Sequence, residues 1–182
     1  MRGIKILLVC LFWVFPAQAD YVYLTKDEAL KLVLGSDSEI SYQPRSIPKE
    51  LQVELQSAGV ATEDLETTHL FIGSKSGKLT AFAFIDTQIG KHLPITFIVG
   101  VSPEGQVTRT EIMVYREKYG SQVREPAFLQ QFSGKTVDDE LRISEAGMRH
   151  VTGATISSKS ISIGVRRNLK IWEYFFGNKH NA

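Results

Sequence analysis

Apolar and polar positions change rhythm three times along this chain. Near the start, Thr25 precedes Lys26-Asp27-Glu28-Ala29-Leu30-Lys31-Leu32-Val33-Leu34, a capping hydroxyl with Glu at the third helical position and an apolar face behind it. That pattern predicts a short helix ending at Gly35. Residues 35–48 are rich in Ser, Asp and Pro and read as a loop. Lys49 to Ala58 then places Leu51, Leu55 and Ala58 at helical spacing, with Gly59 as the stop. From Thr68 to Val114 aromatic and β-branched residues crowd into runs divided by turn chemistry, which predicts strands at 69–72, 79–86, 93–101 and 107–114. Ser102-Pro103-Glu104-Gly105-Gln106 suits a hairpin between the last two. Phe128 to Phe132 reads as a short helix closed by Gly134. Finally Ile161, Val165, Leu169, Trp172 and Phe176 recur at spacings of four, four, three and four, the stripe of a long amphipathic helix. Helices at both ends of an antiparallel core predict an α+β domain, one β-sheet packed by N- and C-terminal helices.

The first residues follow a different logic. Arg2 and Lys5 precede an apolar run from Ile6 to Phe15, and Ala17-Gln18-Ala19 follows, the order of a secretory signal peptide cleaved after Ala19. The run is too short for a membrane span, which takes about 20 apolar residues. No later segment comes near that length, so no integral membrane segment is expected in the mature chain. Leu7-Leu8-Val9-Cys10 leaves a lipoprotein signal as the alternative. Residues 20–182 then form one domain in a periplasmic or otherwise secreted protein. Cys10 is the single cysteine, so the mature chain has no disulfide and no thiolate chemistry, and redox work has to come from a bound cofactor. Without Arg2 and Lys5, 19 basic residues stand against 20 acidic ones. That balance gives no sign of a nucleic-acid partner.

Candidate chemistry concentrates in Val151-Thr152-Gly153-Ala154-Thr155-Ile156-Ser157-Ser158. Four hydroxyls surround a small Gly-Ala step just before the last helix. A helix start offers unpaired N–H groups and partial positive charge, so the stretch reads as a phosphate seat. Plain helix capping explains the same residues, and the two roles are compatible. The four histidines, His69, His92, His150 and His180, show no metal-ligand spacing. No Ser/His/Asp order or Gly-rich nucleotide loop is present. Asp138-Asp139-Glu140 after Thr136 reads as an acidic helix start. Lys159, Arg166, Arg167 and Lys170 read as the wet face of the last helix, or as a patch that steers an acidic partner.

The Thr152–Thr155 stretch resembles the S/T-G-A-T motif of the FMN-binding domain family, found in RnfG and NqrC subunits of ion-pumping redox complexes and in small secreted flavoproteins. Pro94 to Val101 is similar to the family's central strand, Tyr115-Arg116-Glu117 with Gly120 to its Y-R-E-x-x-G segment, and Phe128-Leu129, Gln131-Phe132 and Gly134-Lys135 to its F-L-x-Q-F-x-G-K segment. Arg149 stands where members commonly carry Asp. The resemblance implies an electron-relaying flavoprotein with FMN joined covalently to Thr155 by a phosphoester. Thr152, Gly153, Ala154, Ser157 and Ser158 would shape the phosphate pocket, with the Ser hydroxyls and backbone N–H groups as donors. Glu117 and Gly120 would lie against the flavin. The guanidinium forks of Arg116 and Arg149 suit phosphate or ribityl oxygens, with plain solvation of at least one of them as the favoured alternative. Implied partners are a flavin transferase for maturation, which moves FMN from FAD, and a membrane-bound or periplasmic redox protein. A flavin-free binding or assembly module of the same fold, or a small flavin-dependent reductase, remains open.

Overall fold

The computed structural model describes residues 20–60, 62, 65–144 and 147–177. The expected signal peptide, Cys10 and His180 lie outside them. In chain order the elements are β1 (Tyr21–Val22), α1 (Lys26–Leu34), β2 (Glu39–Tyr42), β3 (Arg45–Ser46), α2 (Lys49–Ser57), β4 (Thr67–Lys75), β5 (Lys78–Ile89), β6 (Pro94–Val101), β7 (Val107–Tyr115), α3 (Pro126–Leu129) and α4 (Thr155–Phe176). Single 3-10 turns at Ser121–Arg124 and Gln130–Phe132 flank α3. The strands run in the order β1-β7-β6-β5-β4-β2, with β3 also on β4, and every pairing is antiparallel. This is the α+β architecture expected from the pattern.

The alternation of strand residues divides the core in two. Phe82, Phe84, Phe97 and Val99 point to one face, under α4, α2 and α3. Ala81, Ala83 and Ile98 point to the other, where α1 lays Ala29, Leu30 and Leu34 against them. The cap of α1 forms as its sequence requires: Thr25 Oγ1 accepts from the Glu28 N–H and the Glu28 carboxylate accepts from the Thr25 N–H.

On the opposite face α4 lies very close to the sheet at Gly164. A Cβ there would stand 2.3 Å from Phe97 Cζ and 3.0 Å from Gln88 Cγ, so only glycine admits this approach. One turn along, the buried Arg167 forms a two-point ion pair with Asp86 and donates to the Thr87 carbonyl (3.1 Å). With its oxygen turned to the guanidinium, the Gln88 amide accepts as well. Ser160 Oγ donates to the Ile89 carbonyl at 2.6 Å. These contacts fix the start of α4 beside the β5–β6 and β7–α3 connections.

Two expectations need correction. Residues 35–48 are not wholly loop, since β2 and β3 lie within them and pair with β4. All four residues of β2 are exposed, so no apolar alternation marked it, and it is held by pairing and by Tyr42 against the Phe71 ring at 4.9 Å. Thr136 to Glu140 forms turns and not a helix start. Asp139 Oδ2 accepts from the Thr136 N–H and hydroxyl at 2.9 and 3.0 Å, while Oδ1 accepts from Lys135 at 2.8 Å. That local bonding satisfies the turn without helical geometry.

Candidate functional site

The hydroxyl-rich stretch becomes a turn followed by a helix. The Ala154 N–H donates to the Val151 carbonyl at 2.9 Å, and Gly153 has φ of 78°. Positive φ at the third residue alone defines a type II turn, for which glycine is the natural occupant. Nothing lies within 4 Å of where a Gly153 Cβ would sit, so the requirement is conformational and the turn's outer side is open. Helix α4 then begins at Thr155 with Ala154 as its N-cap. Alanine has no side-chain oxygen to offer, so the first N–H groups of the helix have no capping side chain.

Thr152 and Thr155 are exposed. Among the described residues neither hydroxyl has a hydrogen-bond partner. The two serines behave differently, which corrects their assignment as phosphate donors: their hydroxyls are spent inside the protein. Ser158 Oγ accepts from the Val151 N–H at 3.1 Å and donates to the Ala154 carbonyl at 2.9 Å. It is fully buried and bolts the turn to the helix. Tyr115 Oη donates to the Tyr119 carbonyl at 2.6 Å. Its proton is thus committed, and the buried Ser157 Oγ, 3.1 Å away, is the donor to Tyr115 Oη. Burial holds the Tyr115 phenol above its ordinary pKa, the Glu117 charge adds to this, and the Ser157 contact opposes it.

A cleft of about 650 Å³ opens at this helix start, within the range of small-molecule sites. Gly153 to Ser157 form one wall, Glu117 to Tyr119 a second, and Lys91 with His92 a third. Three loops distant in sequence therefore converge on Thr155. Tyr119 is 75% exposed and Ile156 48%, so the cleft offers apolar surface beside hydroxyls and cations.

Glu117 sits in this cleft but its carboxylate already has a task. Oε1 accepts from the His92 N–H at 2.5 Å and the Leu93 N–H at 3.0 Å, and the residue is only 7% exposed. Burial pushes its pKa up, but these two N–H groups, with the His92 ring and the Lys91 N–H, pull harder, and the carboxyl ends below its ordinary value. Gly90 makes room, since a Cβ there would stand 2.8 Å from Glu117 Oε1. Gly120 is not among the lining residues. With φ of 87°, it leaves space for Tyr115 Oη and Ala154 Cβ, which a Cβ would meet at 2.8 and 2.9 Å.

The predicted arginine roles also change. Arg116 binds Asp20 at 3.0 Å and donates to the Pro94 carbonyl and Thr96 hydroxyl, each at 3.2 Å. Arg149 contributes its backbone, whose N–H and carbonyl are both held by the Gln131 amide at 2.9 and 3.1 Å. Neither lines the Thr155 cleft. The α4 cations are largely engaged: Arg167 on Asp86, Lys170 on Glu54 at 2.9 Å, Arg166 on the Ala58 carbonyl at 2.6 Å. Only Lys159 of that group is exposed with neither an ion pair nor a hydrogen-bonded side-chain partner among the described residues. Sequence reasoning missed Lys91, His92, Lys118, Tyr119 and Ile156 as cleft residues. Their one signal was adjacency to recognised segments, Lys118 and Tyr119 within the Y-R-E-x-x-G stretch and Ile156 within the motif.

Comparison with known proteins agrees with this geometry. Residues 90–170 match the model of the FMN-binding domain, a span that includes all three walls. The crystal structure of NqrC from Shewanella oneidensis is similar at 18% identity and a TM-score of 0.49, over 64% of this chain and 63% of that one. The chain thus spans just under two thirds of that protein. The NqrC-type component of the Na(+)-translocating NADH-quinone reductase from Parabacteroides distasonis shares the fold at a TM-score of 0.53 and 14% identity, over 87% of each chain. No curated protein matches. No helix of the described residues is long and apolar enough to cross a membrane. The resemblance read from four short segments holds: all four lie within residues 90–170, the stretch that matches the FMN-binding domain.

Proposed function

We propose that this protein is an extracytoplasmic flavoprotein that holds FMN through a phosphoester to Thr155 and relays electrons between redox partners. The observation that carries the reading is the position of Thr155: an exposed, unpartnered hydroxyl among the described residues, first residue of a 22-residue helix without a capping side chain, inside a cleft of about 650 Å³. The residues present fit the group. An anion at this helix start gains N–H donors and the favourable end of the helix dipole together. Thr152 and the open outer side of the Gly153 turn leave space for phosphate oxygens. Tyr119 and Ile156 offer flat apolar contact for a ring system, and the Glu117 clamp fixes the loop that forms the facing wall. Bound FMN supplies reversible electron transfer, and the protein's part is to hold and tune it.

Attachment requires a second enzyme, because a threonine hydroxyl is a weak nucleophile. A flavin transferase supplies FAD, the Thr155 oxygen displaces AMP from it, and the hydroxyl proton leaves as the new P–O bond forms. Cleavage after Ala19 and export place this step outside the cytoplasm, where a tether prevents loss of the cofactor by dissociation. The buried Ser157 and Ser158 contribute by fixing the turn and helix, and Gly120 by letting Ala154 pack.

The test is the intact mass of the exported protein made in a host with a flavin transferase, for wild type and Thr155→Ala. A wild-type mass raised by FMN less one water, absent from the variant, supports both the covalent link and its site. An unshifted yellow protein refutes the covalent link, and an unshifted colourless one favours the flavin-free module.

A further inference from the structure

The mouth of the Thr155 cleft carries two cations without an ion-pair partner among the described residues, Lys91 on the β5–β6 loop and Lys118 on the loop after β7. Both are exposed. The one acid between them, Glu117, is buried, and its Oε1 is covered by two backbone N–H groups. Its charge is therefore turned inward while those of the lysines face solvent. The positive end of α4 opens on the same cleft. Beside the lysines lie the exposed Tyr119 and Ile156, with Lys118 Nζ 5.4 Å from the centre of the Tyr119 ring. A net charge of only +1 for the whole sequence makes this a local field and not a property of the whole surface.

From this juxtaposition we propose that the cleft mouth is the docking surface for the electron partner, and that the partner is a protein presenting carboxylates around its own redox centre. The proposal rests on the flavin reading above. Charge complementarity selects the occupant: opposite charge accelerates encounter, like charge suppresses it, and both effects fade with salt. The contact area next to the cofactor is apolar, as at the centre of other interfaces. The α4 cluster Arg166, Arg167 and Lys170 does not serve this purpose, because each of its cations already has an intramolecular partner.

The experiment uses the flavin-loaded protein, reduced, and two blue-copper proteins of opposite net charge as oxidants. Two Cu(II) centres take one electron each from one reduced flavin, giving two Cu(I) centres, oxidised flavin and two protons in solution. Stopped-flow rates are recorded per mole of bound flavin against ionic strength. The acidic oxidant is expected to react faster at low salt and to slow about tenfold as salt rises, at the lower end of electrostatic steering. Lys91→Glu with Lys118→Glu is expected to reverse the preference, while Lys159→Glu, on the outer side of α4, leaves it in place. A salt-independent rate with the acidic oxidant, a preference for the basic one, or an equal effect of Lys159→Glu would overturn the proposal. A preparation that binds no flavin refutes the flavin reading instead.

Discussion

Replacing Glu117 separates its structural role from a role in contacting ligand. Its Oε1 accepts two N–H groups, from His92 at 2.5 Å and Leu93 at 3.0 Å. Hydrogen bonds to a charged group contribute about 1.5–3 kcal/mol each. The two share one oxygen, and His92 is exposed so water can replace part of the loss. Glu117→Ala is therefore expected to destabilise the domain by about 2–4 kcal/mol, and Glu117→Gln, which keeps a neutral acceptor, by about half of that. The pH dependence gives the sharper test. The folded carboxyl has a pKa below its ordinary value, so its contribution is fully present above about pH 4.3, the unfolded value, and is lost as pH falls through the folded value. Glutamine does not titrate. Urea unfolding of wild type and Glu117→Gln should show a gap at about pH 7.5 that closes in acid. Amide exchange at His92 and Leu93 should speed up in both variants at neutral pH. An equal gap at both pH values would refute the carboxylate clamp.

Two further outcomes test the attachment of α4. Asp86→Ala leaves the buried Arg167 with only Thr87 and Gln88, and should cost about 3 kcal/mol in chemical denaturation, the lower end for breaking a buried pair; a loss below about 1 kcal/mol would show that the pair is solvated. Gly164→Leu drives a side chain into Phe97 and should lower stability by at least about 2 kcal/mol through overpacking. It should also lower the fraction of protein that acquires the proposed flavin, because the same contact sets the start of α4, and with it Thr155, against the cleft; unchanged thermal midpoint and flavin content would contradict this packing.

Much of the fold was legible because the relevant signals are local. The α1 capping box, the Gly59 stop, the four central strands and the α4 stripe each repeat a known period or cap within a few residues. The exposed β2 had no such period, since pairing with β4 alone defines it. At the site, the motif residues were legible as a group, but the direction of each side chain was not. Ser157 and Ser158 look like Thr152 and Thr155 in sequence, yet the helix turns the serines inward and Thr155 outward, and the turn before it leaves Thr152 exposed. Arg116 was drawn away by Asp20, nearly a hundred residues distant, and Glu117 by the 91–93 loop. Such long-range partners leave no trace in a single sequence.

The inward-facing serines have a consequence for kinetics. Val151 to Ser158 is bonded at both ends by hydroxyls that never meet solvent: Ser158 to Val151 and Ala154, Ser157 to Tyr115 and so to Tyr119. A group that gains and loses charge reacts fastest when the dipoles around it do not have to turn with each change. With Ser157 and Ser158 locked in this way, the inner side of the seat has few dipoles free to turn. For the flavin proposed at Thr155, this frame would lower the reorganisation energy and leave the solvent-facing side to respond.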